Sequence, residues 1–295
     1  MRRPLRSLAA LACLVAMASA RTGAGDGYVV ELERWRAERE ARLRAEGGWL
    51  SVVGLFWLEE GASRFGTDPS AEIVLPAGTA PALAGAFEHH GGTTEVRLEP
   101  GVSGTLSGRP VSRAVLRPDS GDILRLGRLT LQVIERGGRF GIRLKDADSP
   151  ARREFEGLRW FPVRESYRVT ARFQPAPPGK TLPIPNVLGQ VNHLPSPGRA
   201  VFQLEGRQVA LEPVLEEADA TELFFIFRDA TSGRETYGAG RFLYTEMPED
   251  GRVVLDFNRA YSPPCAFTDY ATCPLPPPQN RLPVRIEAGE LAGRH

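Results

Sequence analysis

The sequence predicts an all-β protein with two β-rich domains preceded by one helix. From residue 49 onward, short apolar or alternating runs recur, and turn signals rich in Gly, Asp and Pro separate them. This spacing is typical of short antiparallel strands. Residues 28–46, in contrast, place apolar side chains at helical spacing, and Gly47-Gly48 is expected to end that helix.

The first 20 residues are predicted to be a secretory signal peptide. A basic start precedes an apolar run over residues 8–18, and Ala18-Ser19-Ala20 is typical of a cleavage site. The run is shorter than the roughly 20 residues that a membrane-spanning helix needs. We therefore expect cleavage after Ala20 and a periplasmic or secreted protein; a lipoprotein anchored at Cys13 is the alternative.

The charge argues against nucleic acid as a partner. Without the three arginines of the signal peptide, 34 basic residues stand against 36 acidic ones, a net charge of −2. A nearly neutral chain without basic clusters lacks the electrostatic footprint of a nucleic-acid-binding protein. After the signal peptide the sequence contains no apolar segment long enough to span a membrane, so we expect no membrane span.

The first β-domain is expected over residues 49–150, after a flexible leader and the helix within residues 21–48. Its predicted strands cover residues 49–58, 72–75, 94–98, 123–126, 129–134 and 140–144. Glycine-containing turns separate them, and His89-His90, before Gly91-Gly92, is expected in an exposed turn. The strand spacing predicts a sandwich, and a polar stretch at residues 145–154 marks the domain boundary.

The second β-domain, residues 151–295, is predicted to be a small antiparallel sheet or barrel. Residues 200–204 and 208–211 flank a short Glu-Gly-Arg turn and form a predicted hairpin. A three-stranded meander is expected from residues 223–228, 236–244 and 252–258. The proline-rich segment 175–185 is not expected to pair regularly, because proline lacks the amide donor.

Two cysteines, Cys265 and Cys273, lie in a proline-rich segment near the C-terminus. A zinc site would need two further ligands, and the spacing is not that of a zinc motif. A disulfide needs only that the Cα atoms come within about 7 Å, which the turn-rich intervening loop allows. For an exported protein we predict a disulfide that pins this loop. A reactive thiol and a metal site are the alternatives.

A candidate ligand site lies on the predicted meander. In Gly238-Ala239-Gly240-Arg241, a strand would place both glycines on one face and leave room there for a ligand. The pocket hypothesis gives this site an anionic ligand, with Asp256 as orienter or base. The alternative is a structural network of arginines and carboxylates that closes a small barrel. The predicted ligand-binding residues are Arg228, Arg241, Asn258 and Arg259.

The candidate catalytic residues are His193, Asp256 and Cys265. His193 could serve as a general base, although a loop histidine bonded to backbone is the alternative. Cys265 could serve as a nucleophile if a histidine lay beside it. The sequence contains no Gly-x-Ser-x-Gly elbow, phosphate loop, dinucleotide fingerprint or His-Glu-x-x-His motif. We therefore predict neither a cofactor nor a metal.

Long motifs resemble one prokaryotic family, the domain of unknown function 1684. The motifs are GWLSVVGLFWLEEGASRFGTDPSAEIVLP, LRWFPVRESYRVTARF, RDATSGRETYGAGRFL and DFNRAYSPPCAFTDYATCPLPPPQNRLPV. They extend over nearly the whole chain after the signal peptide. The resemblance implies two β-rich halves and no established activity.

A second resemblance covers residues 61–144. The run RFGTDP, which begins at Arg64, and the later GDILRLG are similar to the conserved strands of a forkhead-associated domain. In that fold a serine and histidine loop follows the first run, and a hydroxyl and an arginine bind the phosphate of phosphothreonine. Arg64 matches that arginine, but the corresponding stretch here, AGTAPALAGAFEHHGG, has no matching Ser-x-x-His. The resemblance therefore implies a forkhead-associated-like sandwich without phosphopeptide binding.

These observations predict an exported binding or interaction protein with an Arg/Gly-lined pocket in its second domain. Its partner would be a small molecule or a protein. The alternative is an unrecognised hydrolase that uses Asp256 and His193, or an enzyme based on Cys265. A sandwich fold by itself decides neither hypothesis.

Overall fold

The computed structural model describes residues 13–118, 120–217 and 219–293. The first part of the predicted signal peptide, residues 1–12, lies outside these residues. Helix α1 (Cys13–Arg44) begins ahead of the predicted start and ends close to the expected position. Among the described residues, no helix combines the length and apolar character needed to cross a bilayer. The chain divides into one compact unit that ends at Ala41 and a second one from Arg42 onward.

Gly48 allows the chain to turn sharply after the helix. Its amide donates to the carbonyl of Ala45 at 2.8 Å. A Cβ atom at this position would lie 2.4 Å from the Arg42 carbonyl and 2.3 Å from the Leu43 carbonyl. Only glycine therefore fits this close approach of backbone to backbone.

The first half of the chain folds into two sheets. Its strands are β1 (Val52–Trp57), β2 (Gly61–Gly66), β3 (Ile73–Val74), β4 (Gly85–His90), β5 (Thr93–Leu98), β6 (Gly104–Leu106), β7 (Arg109–Val111), β8 (Arg113–Leu116), β9 (Ile123–Leu126), β10 (Leu129–Arg136) and β11 (Arg139–Asp146). One sheet has the order β1-β11-β10-β9-β6-β7 and the other the order β3-β2-β4-β5-β8. Neighbouring strands are antiparallel except β2 and β3, which are parallel.

One hydrophobic cluster fills the space between these sheets. Phe87 and Val96 project into it from β4 and β5, and Leu131 and Ile142 from β10 and β11; all are fully buried. Alternate residues of a strand share one face, so each sheet contributes one face to the cluster. The first half is therefore a β-sandwich, which confirms the predicted all-β class.

The second half begins with the short helix α2 (Pro150–Arg153). Its strands are β12 (Arg168–Pro175), β13 (Thr181–Pro185), β14 (Val191–Pro195), β15 (Gly198–Leu204), β16 (Arg207–Leu211), β17 (Glu222–Phe227), β18 (Arg241–Glu246) and β19 (Arg252–Asp256). They form a sheet of order β16-β15-β12-β19 and two ribbons, β13-β14 and β17-β18. The predicted hairpin at residues 200–211 is confirmed, because β15 and β16 pair across Glu205-Gly206.

Ribbon β17–β18 lies at the centre of the second half. Phe225 and Leu243 belong to a cluster shared with the β16-β15-β12-β19 sheet. Phe224 and Phe242, which point to the other face, belong to a separate cluster that includes residues of β13 and Cys273. A strand buried on both faces carries an uninterrupted apolar run, as LFFIF does here.

The predicted meander is wrong in its third strand and in the bounds of its second. Strand β19 pairs with β12, so it belongs to a different sheet from β17 and β18. Residues 237–240 belong to no strand, and β18 begins only at Arg241. Gly240 has a φ of +111°, a conformation that a regular strand does not adopt.

The proline-rich segment does pair, contrary to expectation. β13 runs antiparallel to β14, with Pro183 opposite His193 and Pro185 opposite Val191. Residues two apart direct their amides to the same side of a strand. Both prolines therefore occupy positions whose nitrogens do not face β14, while Ile184 lies between them and Leu182 directly precedes Pro183.

We expect the central position of the ribbon to dominate the stability of the second half. Phe225→Ala removes a fully buried ring and is expected to lower the free energy of unfolding by about 3–5 kcal/mol. Val254→Ala, at a residue 42% exposed in β19, is the control and should cost under about 1 kcal/mol. Urea unfolding of the purified chain measures both; equal small losses would contradict the central packing of the ribbon.

Candidate functional site

Arg241, the first residue of β18, is a completely buried charge. Its Nη2 donates to Asp229 Oδ1 at 3.2 Å and to the Ile286 carbonyl at 3.0 Å. Its Nη1 donates to the Ala288 carbonyl. Asp229 in turn accepts from the Ile286 amide at 2.7 Å and from the Thr231 hydroxyl at 2.9 Å. The pair therefore joins the ribbon to the C-terminal segment.

The space that the missing side chain of Gly240 leaves, next to Arg241 in the chain, is filled by the protein itself. A Cβ atom at Gly240 would lie 2.5 Å from the Phe227 carbonyl and 2.7 Å from Pro276. Burial lowers the pKa of Arg241, and the charge of Asp229 acts in the opposite direction. An anionic ligand would have to displace Asp229 to reach Arg241. This arrangement resembles the structural network that the sequence analysis gives as the alternative to a pocket, and a ligand role for Arg241 stays a prediction.

Asn258 serves as a backbone partner for a distant segment. Its Oδ1 accepts from the Arg164 amide at 3.1 Å, and its Nδ2 donates to the Arg164 carbonyl at 2.9 Å. Asp256 accepts from the Asn258 amide and caps the 3-10 helix Phe257–Arg259. Arg259 lies 3.7 Å from the Asp256 carboxylate. These predicted site residues hold the chain at the end of β19.

Asn280, near Arg228, also forms hydrogen bonds with the backbone of distant segments. It is fully buried, accepts from the Glu212 amide at 2.8 Å, and donates Nδ2 to the carbonyls of Glu212 at 2.8 Å and Ile226 at 3.0 Å. The amide of Arg228 donates to the Asn280 carbonyl at 3.0 Å. The Arg228 side chain is exposed. The predicted ligand-binding arginines therefore differ widely in their access to solvent.

The candidate catalytic residues occupy separate elements. His193 is exposed in β14, opposite Pro183. Asp256 ends β19 and directs an oxygen to Asn258. Cys265 lies in the 3-10 helix Pro264–Ala266. A general base acts only within hydrogen-bond reach of its proton, directly or through one water.

The two cysteines lie side by side as free thiols. The Cys265 amide donates to Cys273 Sγ at 3.2 Å. The predicted disulfide is not formed in the structure and stays a prediction. Cys273 is 5% exposed, whereas Cys265 is only partly buried. The carbonyl of Cys265 accepts from the Tyr237 hydroxyl at 3.0 Å, and that of Cys273 accepts from the Val187 amide at 3.1 Å.

The two thiols differ in acidity. A hydrogen bond from the Cys273 thiol lowers the pKa of Cys265 to about 7, against the opposing effects of burial and of Asp269. The same hydrogen bond and burial raise the pKa of Cys273, and Arg143 acts weakly in the opposite direction. No group of three or more His, Cys, Asp or Glu side chains suited to a metal occurs within the described part of the chain.

Arg64, which the forkhead-associated resemblance singles out, is already engaged by a carboxylate. Its Nε and Nη2 each lie 3.2 Å from an oxygen of Glu72, and its amide donates to Glu72 at 2.9 Å. These bonds lower the pKa of Glu72 to about 2. The carboxylate thus occupies the position that a bound phosphate would need on this side chain.

A cavity of about 830 Å³ opens beside helix α2. Residues 154–159, which form no regular structure, line one side of it, and residues 290, 291 and 293 line another. Leu50 and Phe267 contribute apolar surface. The Leu291 amide donates to the Arg159 carbonyl at 2.8 Å, which holds the two segments together. No local sequence motif marks this site, because its walls come from four separate parts of the chain.

The lining of this cavity combines aromatic rings with charged groups. Phe155 and Phe267 meet edge to face, with ring centroids 6.4 Å apart. The guanidinium of Arg44 lies 4.7 Å from the Phe155 ring centroid. Glu290, which is 1% exposed, lines the cavity, and its charge also acts on Arg241. An apolar surface with a few fixed polar groups is typical of small-molecule sites.

Comparisons with known proteins place the second half in a family. Residues 153–291 match the model of a family described as "Protein of unknown function (DUF1684)". Among solved structures, the chain is similar to an uncharacterized protein of Haloarcula marismortui, at 32% identity and a TM-score of 0.41, over 48% of this chain and 80% of that chain. It is also similar to the FhaA FHA domain, at 19% identity and a TM-score of 0.23, over 31% and 97% of the two chains. No curated protein matches the chain.

We expect Arg241 and Asp229 to depend on each other for stability. Arg241→Met leaves a buried carboxylate without its cation and should lower the free energy of unfolding by about 3–5 kcal/mol. The double variant Arg241→Met with Asp229→Asn should lose less than the sum of the single variants. Arg228→Met, at the exposed neighbour, is the control and should change stability by under about 1 kcal/mol. Urea unfolding measures these changes, and equal losses in Arg228→Met and Arg241→Met would refute the buried pair.

Asn280 offers a second test of the buried polar groups. Asn280→Asp keeps the shape of the side chain but removes the amide donor to two buried carbonyls, so we expect a loss of at least about 2 kcal/mol at pH 8. Burial raises the pKa of the new carboxyl, and its protonated form can donate again, so the loss should shrink at pH 4. Gln279→Glu, the same chemical change at an exposed neighbour, should be nearly neutral at both pH values in urea unfolding.

Proposed function

Because the chain belongs to the DUF1684 family, whose description assigns no activity, we propose a function from its own geometry. The chain is an exported binding protein for a small organic molecule. Its ligand occupies the cavity beside residues 154–159. Export rests on the basic and apolar composition of the first 20 residues and on Ala18-Ser19-Ala20.

The size and lining of the cavity carry the proposal. A volume of about 830 Å³ lies within the roughly 300–1,000 Å³ that small-molecule sites span. Phe155 and Phe267 supply flat apolar surface for the body of a ligand. Glu290 is nearly inaccessible to water, whereas Arg159 is exposed. Arg159 would therefore orient the polar end of a ligand.

This location differs from the Arg/Gly-lined pocket that the sequence predicts. Arg241 and Asn258 are fully buried and form hydrogen bonds with backbone carbonyls of the protein itself. Of the predicted arginines, Arg228 is exposed and the Arg259 side chain is 31% exposed. The binding hypothesis is therefore kept, and its site is moved to the cavity.

The hydrolase alternative receives less support from the geometry. Asp256 directs its oxygens to Asn258 and Arg259. His193 lies exposed on a ribbon strand, where its neighbours across the strand are prolines or polar residues. A base and its orienting carboxylate need a shared hydrogen bond. The remaining alternative is an enzyme based on Cys265.

The cavity can be tested by filling it. Ala151 lines the cavity and is exposed on helix α2, so the indole of Ala151→Trp should occupy the space without disturbing the core. The chain is incubated with a small-molecule extract of the compartment to which it is exported, exchanged into buffer, and examined by native mass spectrometry. We expect the original chain to retain a small molecule that Ala151→Trp loses by at least about tenfold.

Val115→Trp supplies the matched control. Val115 is 51% exposed on strand β8 in the first half, so the same large ring is added away from the cavity. This variant should retain the small molecule as the original chain does. Retention of the same compound by Ala151→Trp, or by none of the three proteins, would contradict the binding proposal.

A further inference from the structure

Cys265 and Cys273 form a chemical feature that the cavity proposal does not use. Both thiols are free, and the Cys265 amide donates to Cys273 Sγ at 3.2 Å, so the two residues are in direct contact. A disulfide requires its two cysteines to lie close together, and this contact meets that requirement. The fold therefore places the two thiols where oxidation can join them.

The backbone holds this pair in place while both thiols are reduced. On the Cys273 side, the Val187 amide donates to the Cys273 carbonyl at 3.1 Å, and the Leu275 amide donates to the Pro185 carbonyl at 2.7 Å. On the other side, Tyr237 donates to the Cys265 carbonyl at 3.0 Å. These bonds are complete without a disulfide, so the segment does not need the covalent bond to keep its position.

The accessibility of the two sulfurs is unequal. Cys265 is partly exposed, and Cys273 is 5% exposed beneath it. A disulfide of another molecule can therefore reach Cys265 first. The difference in acidity acts in the same direction, because the pKa of Cys265 is lowered to about 7 while that of Cys273 is raised. A thiol with a pKa near the ambient pH is the most effective attacking group.

We propose that Cys265 and Cys273 form a reversible dithiol–disulfide site that exchanges with a disulfide bond of another molecule. The Cys265 thiolate attacks one sulfur of that disulfide, whose sulfur–sulfur bond breaks, and the released thiolate takes a proton from water. The Cys273 thiol then loses its proton and attacks Cys265 Sγ, which releases the second sulfur as a thiol. The chain loses two electrons, and the other disulfide becomes two thiols.

The charged neighbours of the pair act against this division of roles. Asp269 raises the pKa of Cys265, and Arg143 lowers that of Cys273, so neither charge makes Cys265 the more acidic thiol. The difference comes mainly from the interaction between the two thiols. The pKa of Tyr237 is raised, mainly by burial and further by the two sulfurs, so this phenol stays protonated as a donor.

The first measurement uses the unmodified chain in glutathione buffers. At equilibrium, thiols are trapped with a maleimide and counted by mass spectrometry. We expect one transition in which both thiols disappear together and return when the buffer is made more reducing. A disulfide bond that survives the most reducing buffer would be a permanent structural bond. Thiols that stay reduced in the most oxidising buffer would have no redox function. Either result overturns the proposal.

The second measurement separates the roles of the sulfurs. With glutathione disulfide, Cys273→Ala should accumulate a mixed disulfide at Cys265, while Cys265→Ala should form it at least about tenfold more slowly. The alkylation of Cys265 should have its midpoint near pH 7 in the original chain and at a higher pH in Cys273→Ala, which lacks the thiol donor. Equal rates in the two variants would overturn the assignment of Cys265 as the attacking group.

A final arm distinguishes the source of the disulfide. The chain is supplied with dithiothreitol as reductant and with either glutathione disulfide or insulin as oxidised substrate. Faster reduction of insulin than of glutathione disulfide assigns a protein substrate, and the reverse order assigns a low-mass one. Acceleration of neither reaction over dithiothreitol alone overturns exchange as a function. The assays do not involve the cavity, so their outcome is independent of the binding proposal.

Discussion

The buried guanidinium of Arg241 is the constraint on which the second half of the molecule depends. A cation removed from water must be surrounded by acceptors, because an unpaired buried charge costs several kcal/mol. Asp229 and the carbonyls of Ile286 and Ala288 supply these acceptors. The requirement fixes the C-terminal segment against ribbon β17–β18. The ribbon in turn separates the two hydrophobic clusters of the second half.

Side-chain amides complete the structure where sheet ladders cannot. Beyond β19 the chain is rich in proline, so it lacks many of the amide donors that a strand requires. Asn258 and Asn280 replace them by pairing with the backbone at Arg164, Glu212 and Ile226. The hydrogen-bonding groups of these two asparagines are therefore used within the protein and are not available to a ligand. The two proposals therefore rest on the cavity and on the partly exposed thiol of Cys265.

Elements with local causes could be predicted from the sequence. Strand β9 has the predicted bounds, because an alternating run stands between two glycine turns. The hairpin at Glu205-Gly206 was also predictable, since both residues take the positive φ that a tight two-residue turn requires. The end of helix α1, at Arg44, was also predictable from the local sequence, because Gly47-Gly48 follow it. In each case the residues that decide the structure lie next to the element.

Elements with distant causes could not be predicted. His89 was expected in an exposed turn, yet it is buried because Phe140 and Thr94 cover it. The register of β13 depends on which side of the strand β14 occupies, and a list of prolines does not reveal this. Gly240, directly before Arg241, suggested open space, but that space is filled by Phe227 and Pro276. The cavity has walls from four parts of the chain, so no local pattern marks it.

The sealed state of Arg241 can be measured directly by NMR of the chain labelled with ¹⁵N-arginine. We expect separate Nη proton signals for Arg241. These protons should exchange with water only when the protein unfolds, and their signals should not move when inorganic phosphate is added. Rapid exchange, or a shift of the signals with phosphate, would show an accessible anion site and contradict the buried pairing of Arg241 with Asp229.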